Sequence, residues 1–170
     1  MPKYNCNVIV CGPAIGKTYL ASIDNRFVDI DNMKSIYKYG LYNLKQEERE
    51  KGKLNRGQII NKDSTDYAIK LLEETIKENK IALLSYHEKI IEYLIKNKIK
   101  YCLVYANKDL ANEYRKRMKK RGNNDYFVEK MTNSKSWNEF YYSNEFDKNP
   151  TYKVILKKGE YLSNIKNYFL

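Results

Sequence analysis

Short apolar runs alternate with longer amphipathic stretches along the whole chain. Each run has four or five residues, the length of a strand, and the stretches between them have room for a helix. Strands that are connected by helices form parallel sheets. The pattern therefore predicts an α/β fold, a five-stranded parallel sheet sandwiched by helices, with strands at Asn7–Val10, Arg26–Ile30, Ile81–Ser85, Tyr101–Tyr105 and Tyr152–Leu156.

Apolar residues spaced three or four apart predict the helices between these strands. One helix begins at Asp63 or Ser64, ends near Asn79, and carries four apolar residues on one face: Ala68, Ile69, Leu72 and Ile76. The next carries Ile90, Ile91, Leu94 and Ile95. A strongly basic helix follows over about 109–122 and ends at Gly122. Aromatic residues farther along, from Phe127 to Tyr141, predict one or two more helices that pack on the sheet.

Length and charge narrow the class of protein. A chain of 170 residues fits a single domain, which we expect to span 1–170. The net charge of +11 predicts attraction to polyanions such as nucleotides, nucleic acid or acidic lipid. No polybasic arm stands out, so nucleic acid is the less favoured partner. A charged segment over about 34–62 has the weakest pattern, and either closes over an acceptor substrate or is a solvated face.

Three cysteines are present, and no two of them form a C-x-x-C pair. We expect small buried thiols in a reducing compartment. The N-terminus has no apolar signal segment, and no run approaches the eighteen residues that cross a membrane. These features predict a cytoplasmic protein without a membrane partner.

A glycine-containing segment directly follows the first predicted strand. It reads Cys11-Gly12-Pro13-Ala14-Ile15-Gly16-Lys17-Thr18 and is followed by a helix-like stretch. The phosphate-loop (P-loop, or Walker A) pattern G-x-x-x-x-G-K-[ST] has glycine where this chain has Cys11, a role that Gly12 can assume in a loop one residue shorter. Glycines let the backbone approach phosphate oxygens, Lys17 supplies a cation and Thr18 a hydroxyl for Mg²⁺. The predicted ATP-binding residues are Gly12, Pro13, Ala14, Ile15, Gly16, Lys17 and Thr18, and the alternative is a structural turn.

Two carboxylates end the second predicted strand, in the element Phe27-Val28-Asp29-Ile30-Asp31. Ligands of open parallel sheets bind at the carboxyl ends of the strands. One acid could hold Mg²⁺ through water while the other accepts a proton or hydrogen bond from an acceptor hydroxyl. Both side chains share a face only if the strand continues to Asp31. Otherwise Asp31 starts a turn or caps a helix.

The basic helix carries Arg117 and Arg121 four residues apart, hence on one face. We expect both on the exposed side, where they could clamp the β- and γ-phosphates of ATP; the alternative is a basic helix without a ligand. His87 is the single histidine and follows the third predicted strand. It could orient an acceptor phosphate or water, but we do not assign it a catalytic role.

Together, the loop and the F-x-D-x-D element resemble the small P-loop kinases, the group that contains nucleoside monophosphate kinases, shikimate kinase and gluconate kinase. The resemblance implies that Asp29 lies near the metal, that Asp31 lies near the phosphoryl acceptor, and that the basic helix belongs to a lid. The pattern is also similar to phage-encoded proteins described as adenylate-kinase-like or nucleotide-kinase-like, in which a serine and a histidine follow the third strand, here Ser85 and His87. For a phage protein the compartment would be the host cytoplasm.

These observations predict an ATP- and Mg²⁺-dependent phosphotransferase that acts on a nucleoside monophosphate or a nucleoside. The expected catalytic residues are Lys17, Asp31, Arg117 and Arg121, and the expected metal ligands are Thr18 and Asp29. One alternative is a kinase of a metabolite hydroxyl or of an RNA or DNA 5′ end. Another is a nucleotide-binding regulatory protein without catalysis, which Cys11 and the lack of an aspartate on the third strand would suit.

Overall fold

The sheet is parallel throughout and has five strands. The computed structural model describes residues 3–32 and 64–170, so the charged segment predicted over about 34–62 lies outside the described residues. The strand order is β2-β3-β1-β4-β5, which places β1 in the centre. The strands are β1 Val8–Cys11, β2 Phe27–Asp29, β3 Ile81–Ser85, β4 Cys102–Ala106 and β5 Tyr152–Leu156.

Helices occupy the connections between the strands. Those of the described residues are α1 Lys17–Ile23, α2 Ser64–Lys77, α3 Glu88–Lys96, α4 Ala111–Lys120, α5 Asp125–Thr132, α6 Ser134–Phe146 and α7 Leu162–Ile165. Three 3₁₀ turns accompany them, at Ile30–Asn32, Lys108–Leu110 and Lys166–Tyr168. The α/β prediction is confirmed.

Two apolar cores cover the two faces of the sheet. Alternate residues of β1 enter each core, Ile9 and Cys11 on one side and Val8 and Val10 on the other. The first core also receives side chains from α1, α4, α5 and α7, and the second receives side chains from α2 and α3. Helix α6 contributes to both. Because β1 is buried on both faces, all of its residues are apolar.

The predicted elements agree with the observed ones to within one or two residues. Asn79, with φ of 56°, lies just beyond the end of α2, as its position near the predicted helix end suggests. Of the four apolar residues that the next predicted helix carries, Ile90, Ile91 and Leu94 are buried, and the side chain of Ile95 is 46% exposed. The three cysteines are buried and free, as predicted. None of the helices in the described ranges combines the length and the apolar character that crossing a membrane requires.

Candidate functional site

The segment between β1 and α1 lies at the carboxyl edge of the sheet, next to the ends of β3 and β4. Its backbone curls tightly, because Ala14 (φ 58°) and Gly16 (φ 100°) both adopt left-handed conformations. Gly16 is also covered by an aromatic ring: a Cβ there would lie 3.3 Å from Cδ1 of Tyr161. A Cβ on Gly12 would lie 3.1 Å from Cζ of Phe140. A side chain at Gly16 would therefore be strained and crowded by Tyr161, and a side chain at Gly12 would require the ring of Phe140 to shift.

Lys17 is held at the centre of the site. Its Nζ donates to Oγ of Ser85 over 2.8 Å and forms an ion pair with Oδ2 of Asp31 over 3.1 Å. The side chain is 11% exposed. Burial opposes its charged form, but the Cys11 thiolate that forms at high pH and the carboxylates of Asp31 and Asp29 more than offset burial and hold the pKa of Lys17 above its usual value. The ammonium therefore stays charged at neutral pH.

Thr18 contacts the other carboxylate of the second-strand element. Its Oγ1 donates to Oδ2 of the buried Asp29 over 2.7 Å. Strand β2 ends at Asp29, and a 3₁₀ turn, not a continued strand, brings Asp31 to Lys17. The strand does not continue to Asp31, which was the stated condition for both acids to face the site, and the turn given as the alternative still brings Asp31 to Lys17. Consecutive residues, Lys17 and Thr18, each contact one of the two acids.

A magnesium ion would find two oxygen groups here. The hydroxyl of Thr18 and the carboxylate of Asp29 face each other. In the described ranges, no cluster of three or more His, Cys, Asp or Glu side chains could hold a metal ion by itself. Mg²⁺ suits such a sparse set, because it binds through one or two carboxylates and takes its other ligands from water and phosphate oxygens. These two residues fit a metal that arrives with a phosphorylated ligand.

A cleft of about 710 Å³ opens beside the loop. We call it the basic cleft, because five of its lining residues are cations: Lys17, Lys116, Arg117, Lys120 and Arg121. The rest of its lining includes Ala14, Ile15, Gly16 and Thr18 from the loop and Tyr161 from the C-terminal segment. The fold thus brings the loop and the basic helix to one cavity, as the sequence predicts for Arg117 and Arg121.

The expectation that Arg117 lies on the exposed side of α4 is wrong. Arg117 is 8% exposed, and its guanidinium carbon lies 3.8 Å from the ring centroid of Tyr161 and 4.6 Å from that of Tyr114. Its Nη2 forms an ion pair with Glu113 and donates to the carbonyl of Glu160 over 3.0 Å. Two rings and an acid one turn away compensate for burial of the charge. Arg121, in contrast, is exposed as predicted.

Sequence reasoning missed the part of the site that Tyr161 supplies. The backbone N–H of the next residue, Leu162, donates to the carbonyl of Ile15 over 3.1 Å, which joins the C-terminal segment directly to the loop. No local pattern marks Tyr161, because its partners Gly16 and Arg117 are distant in sequence. Lys116 and Lys120 were also missed, although their spacing of four places them on one helix face beside Arg117.

Two residues singled out in the sequence stand apart from this chemistry. Cys11 is fully buried, and burial raises the pKa of its thiol to about 12, with Asp31 and Asp29 adding to the effect and Lys17 opposing it. The thiol is therefore neutral and packs as a small apolar group. His87 is exposed at the N-cap of α3, and it does not line the basic cleft.

No family model matches the chain, and the search of curated proteins gave no match.

Proposed function

We propose that this protein is a P-loop kinase that transfers the γ-phosphoryl group of ATP, with Mg²⁺, to a nucleoside or nucleoside monophosphate. One observation carries the proposal. Lys17 and Thr18, adjacent on the chain, contact Asp31 and Asp29 at the carboxyl edge of a parallel sheet, and the same loop borders the basic cleft. Phosphoryl transfer needs a cation, a hydroxyl group, carboxylates and a cavity that attracts anions, and these residues and the cleft provide them.

Each residue then has a role in binding. The curled backbone of the loop and the ammonium of Lys17 would hold the β- and γ-phosphates. Thr18 and Asp29 would hold the metal, which supplies neutralisation of phosphate charge when bound. The exposed cations of the basic cleft, Lys116, Lys120 and Arg121, would attract the triphosphate.

Asp31 is the residue that would contact the phosphoryl acceptor. Its carboxylate is the ionic partner of Lys17. A triphosphate would take over Lys17, because several phosphate charges outweigh one carboxylate. Asp31 is then released to accept a hydrogen bond or a proton from the acceptor. Ser85 occupies the end of β3, where the resemblance leads one to expect an aspartate, and its hydroxyl orients Lys17 in place of a second metal-linked acid.

The free, buried thiols also support a cytoplasmic location, which we propose with the function.

The experiment is a transfer assay with radiolabelled ATP, Mg²⁺ and a panel of nucleosides, nucleoside monophosphates and a short oligonucleotide. We expect Asp31→Asn to lower transfer at least tenfold and to leave the dissociation constant of ATP within about threefold of the parent. Asp125→Asn is the matched control, because that carboxylate is 90% exposed and lies on α5. If the parent binds ATP and transfers its phosphoryl group to no acceptor, the regulatory alternative replaces the kinase. Labelling of the oligonucleotide alone would favour a nucleic-acid end as acceptor.

A further inference from the structure

A second cleft, of about 600 Å³, opens on the other side of the loop. It lies between the start of the loop, the end of β3 and the C-terminal end of α6. We call it the aromatic cleft, and the lining residues that matter here are Gly12, Ser85, Tyr86, Phe140, Phe146 and Asp147. Its volume is within the range of small-molecule sites, about 300–1,000 Å³.

The two clefts differ in charge. Five cations line the basic cleft, whereas the lining of the aromatic cleft, among the described residues, contains no lysine or arginine. Among the described residues of this lining, the one acidic side chain is Asp147. A phosphate group there would meet that carboxylate with no lysine or arginine of the described lining to balance it, and Lys17, which contacts the lining residue Ser85, is already paired with Asp31. A neutral molecule avoids this cost.

Two large rings at this cleft lack full cover. Tyr86 is 52% exposed and Phe146 is 72% exposed. The ring of Phe146 stacks on that of Tyr142, with an interplanar angle of 11° and a centroid distance of 6.0 Å. One face of the Phe146 ring is therefore in contact with Tyr142. Flat heteroaromatic bases stack on such rings. The polar groups of Asp147 and Asn149, which also line the cleft, can bind the edge of a base.

The aromatic cleft lies next to Nζ of Lys17, the atom at the centre of the proposed phosphoryl-transfer site. Ser85 lines it, and Ser85 Oγ lies 2.8 Å from Nζ of Lys17. Asp31 Oδ2 lies 3.1 Å from the same nitrogen. We propose that the aromatic cleft binds the base and sugar of a neutral nucleoside, whose hydroxyl is the phosphoryl acceptor. This inference rests on the proposed function and selects a nucleoside over a nucleoside monophosphate.

The chemistry of Asp31 agrees with that choice. The hydroxyl oxygen of the nucleoside forms a bond to the γ-phosphorus of ATP, the bond from that phosphorus to the β–γ bridging oxygen breaks, and its electron pair leaves with ADP. The hydroxyl proton passes to the carboxylate of Asp31. A hydroxyl acceptor needs such a base, whereas a phosphate dianion has no proton to give up. A dianion in the aromatic cleft would also meet the carboxylate of Asp147.

The test compares matched acceptors on the intact protein. Each nucleoside and its own 5′-monophosphate are supplied with Mg·ATP, and products are identified by anion-exchange chromatography, while calorimetry measures direct binding of both. We expect nucleosides to become monophosphates and the monophosphates to remain unconverted. Phe146→Ala should raise the KM for the nucleoside about 5- to 150-fold, the range that loss of one stacking ring gives, and leave ATP binding unchanged. Tyr126→Ala is the control, because Tyr126 is 78% exposed and lies outside the lining of the cleft.

The outcomes separate this inference from the proposed function. Conversion of monophosphates to diphosphates with no conversion of nucleosides overturns the inference and leaves the kinase intact. Equal effects of Phe146→Ala and Tyr126→Ala on the KM for the nucleoside also overturn it. If ATP binds and no acceptor reacts, absence of nucleoside binding in calorimetry refutes the aromatic cleft as an acceptor site. If ATP itself does not bind, the proposed function fails first.

Discussion

Removal of Arg117 should destabilise the fold, although the residue is a cation on a basic helix. Arg117 is stacked between Tyr114 and Tyr161 and paired with Glu113, so Arg117→Ala removes an ion pair and two ring contacts at once. Arg121, one turn later, is exposed and makes none of these contacts with described residues. Arg121→Ala is therefore the matched control.

The size of the effect follows from the contacts. Loss of one partner from a buried ion pair costs about 3–5 kcal/mol, and loss of the ring contacts adds about 0.5–2 kcal/mol. Two features reduce this loss. The Glu113 side chain is 23% exposed and keeps a hydrogen bond from the N–H of Gly159 at 3.0 Å. In addition, Nε and Nη1 of Arg117 have no hydrogen-bond partner among the described residues, so their removal recovers about 1–3 kcal/mol of desolvation. We expect a net loss of about 2–4 kcal/mol.

Thermal unfolding followed by circular dichroism measures this loss. For a chain of this size the expected decrease in Tm is about 5–15 °C for Arg117→Ala and about 1 °C or less for Arg121→Ala. Urea titration should give the same order of stability with an unchanged m-value. The double variant Glu113→Gln/Arg117→Met, which removes both charges, should recover part of the loss. Equal melting temperatures for Arg117→Ala and Arg121→Ala would refute the reasoning.

Two further predictions concern the loop and the thiols. Gly16→Ala should lower the Tm more than Gly159→Ala. Both glycines have positive φ, but a Cβ at position 16 meets Tyr161, whereas no described atom lies within 4 Å of a Cβ at position 159. Equal decreases in the Tm of the two variants would contradict the contact with Tyr161. All three cysteines should resist iodoacetamide at pH 8 in the folded protein and react in urea. The reason is that burial raises the pKa of the Cys6 thiol to about 11 and that of the Cys11 thiol to about 12, and it raises the pKa of Cys102 further still. Rapid labelling of the folded protein, detected by mass spectrometry, would disprove this expectation.

The sheet could be predicted because its signal is local. A strand that is buried on both faces reads as an unbroken apolar run, as Ile81–Ser85 does apart from its polar last residue, and it was predicted at its observed bounds. The edge strand Tyr152–Leu156 is less buried and contains Lys153, but it was also predicted at its observed bounds. The tight segment between β1 and α1 also has a local signal, because its glycines, lysine and threonine lie within the seven residues 12–18. The exposure of Ile95, in contrast with the buried Ile90, Ile91 and Leu94, could not be predicted, because helical spacing alone does not define how wide the buried face is.

The rest of the site depends on contacts between distant segments. Charge predicts exposure for Arg117, and only the fold brings Tyr161 over it, 44 residues later in the chain. The contact between Lys17 and Ser85 spans 68 residues. Such pairs leave no periodic signal in the sequence. Asp31 is intermediate: its position two residues after Asp29 predicted that it lies near the loop and offered a turn as the alternative, but the strand pattern did not predict that the turn itself brings Asp31 to Lys17.

Calorimetric titration of Mg·ATP tests the central claim most directly. The parent is compared with Lys17→Met, which keeps the aliphatic stem and removes the charge, and with Lys96→Met, an exposed lysine in the last turn of α3. Because a hydrogen bond to a charged group contributes about 1.5–3 kcal/mol, we expect Lys17→Met to weaken ATP binding at least about tenfold and Lys96→Met to leave it unchanged. Thermal melts establish that both variants are folded. Equal ATP affinity in the folded Lys17→Met variant and the parent would contradict the assignment of this loop as the nucleotide site.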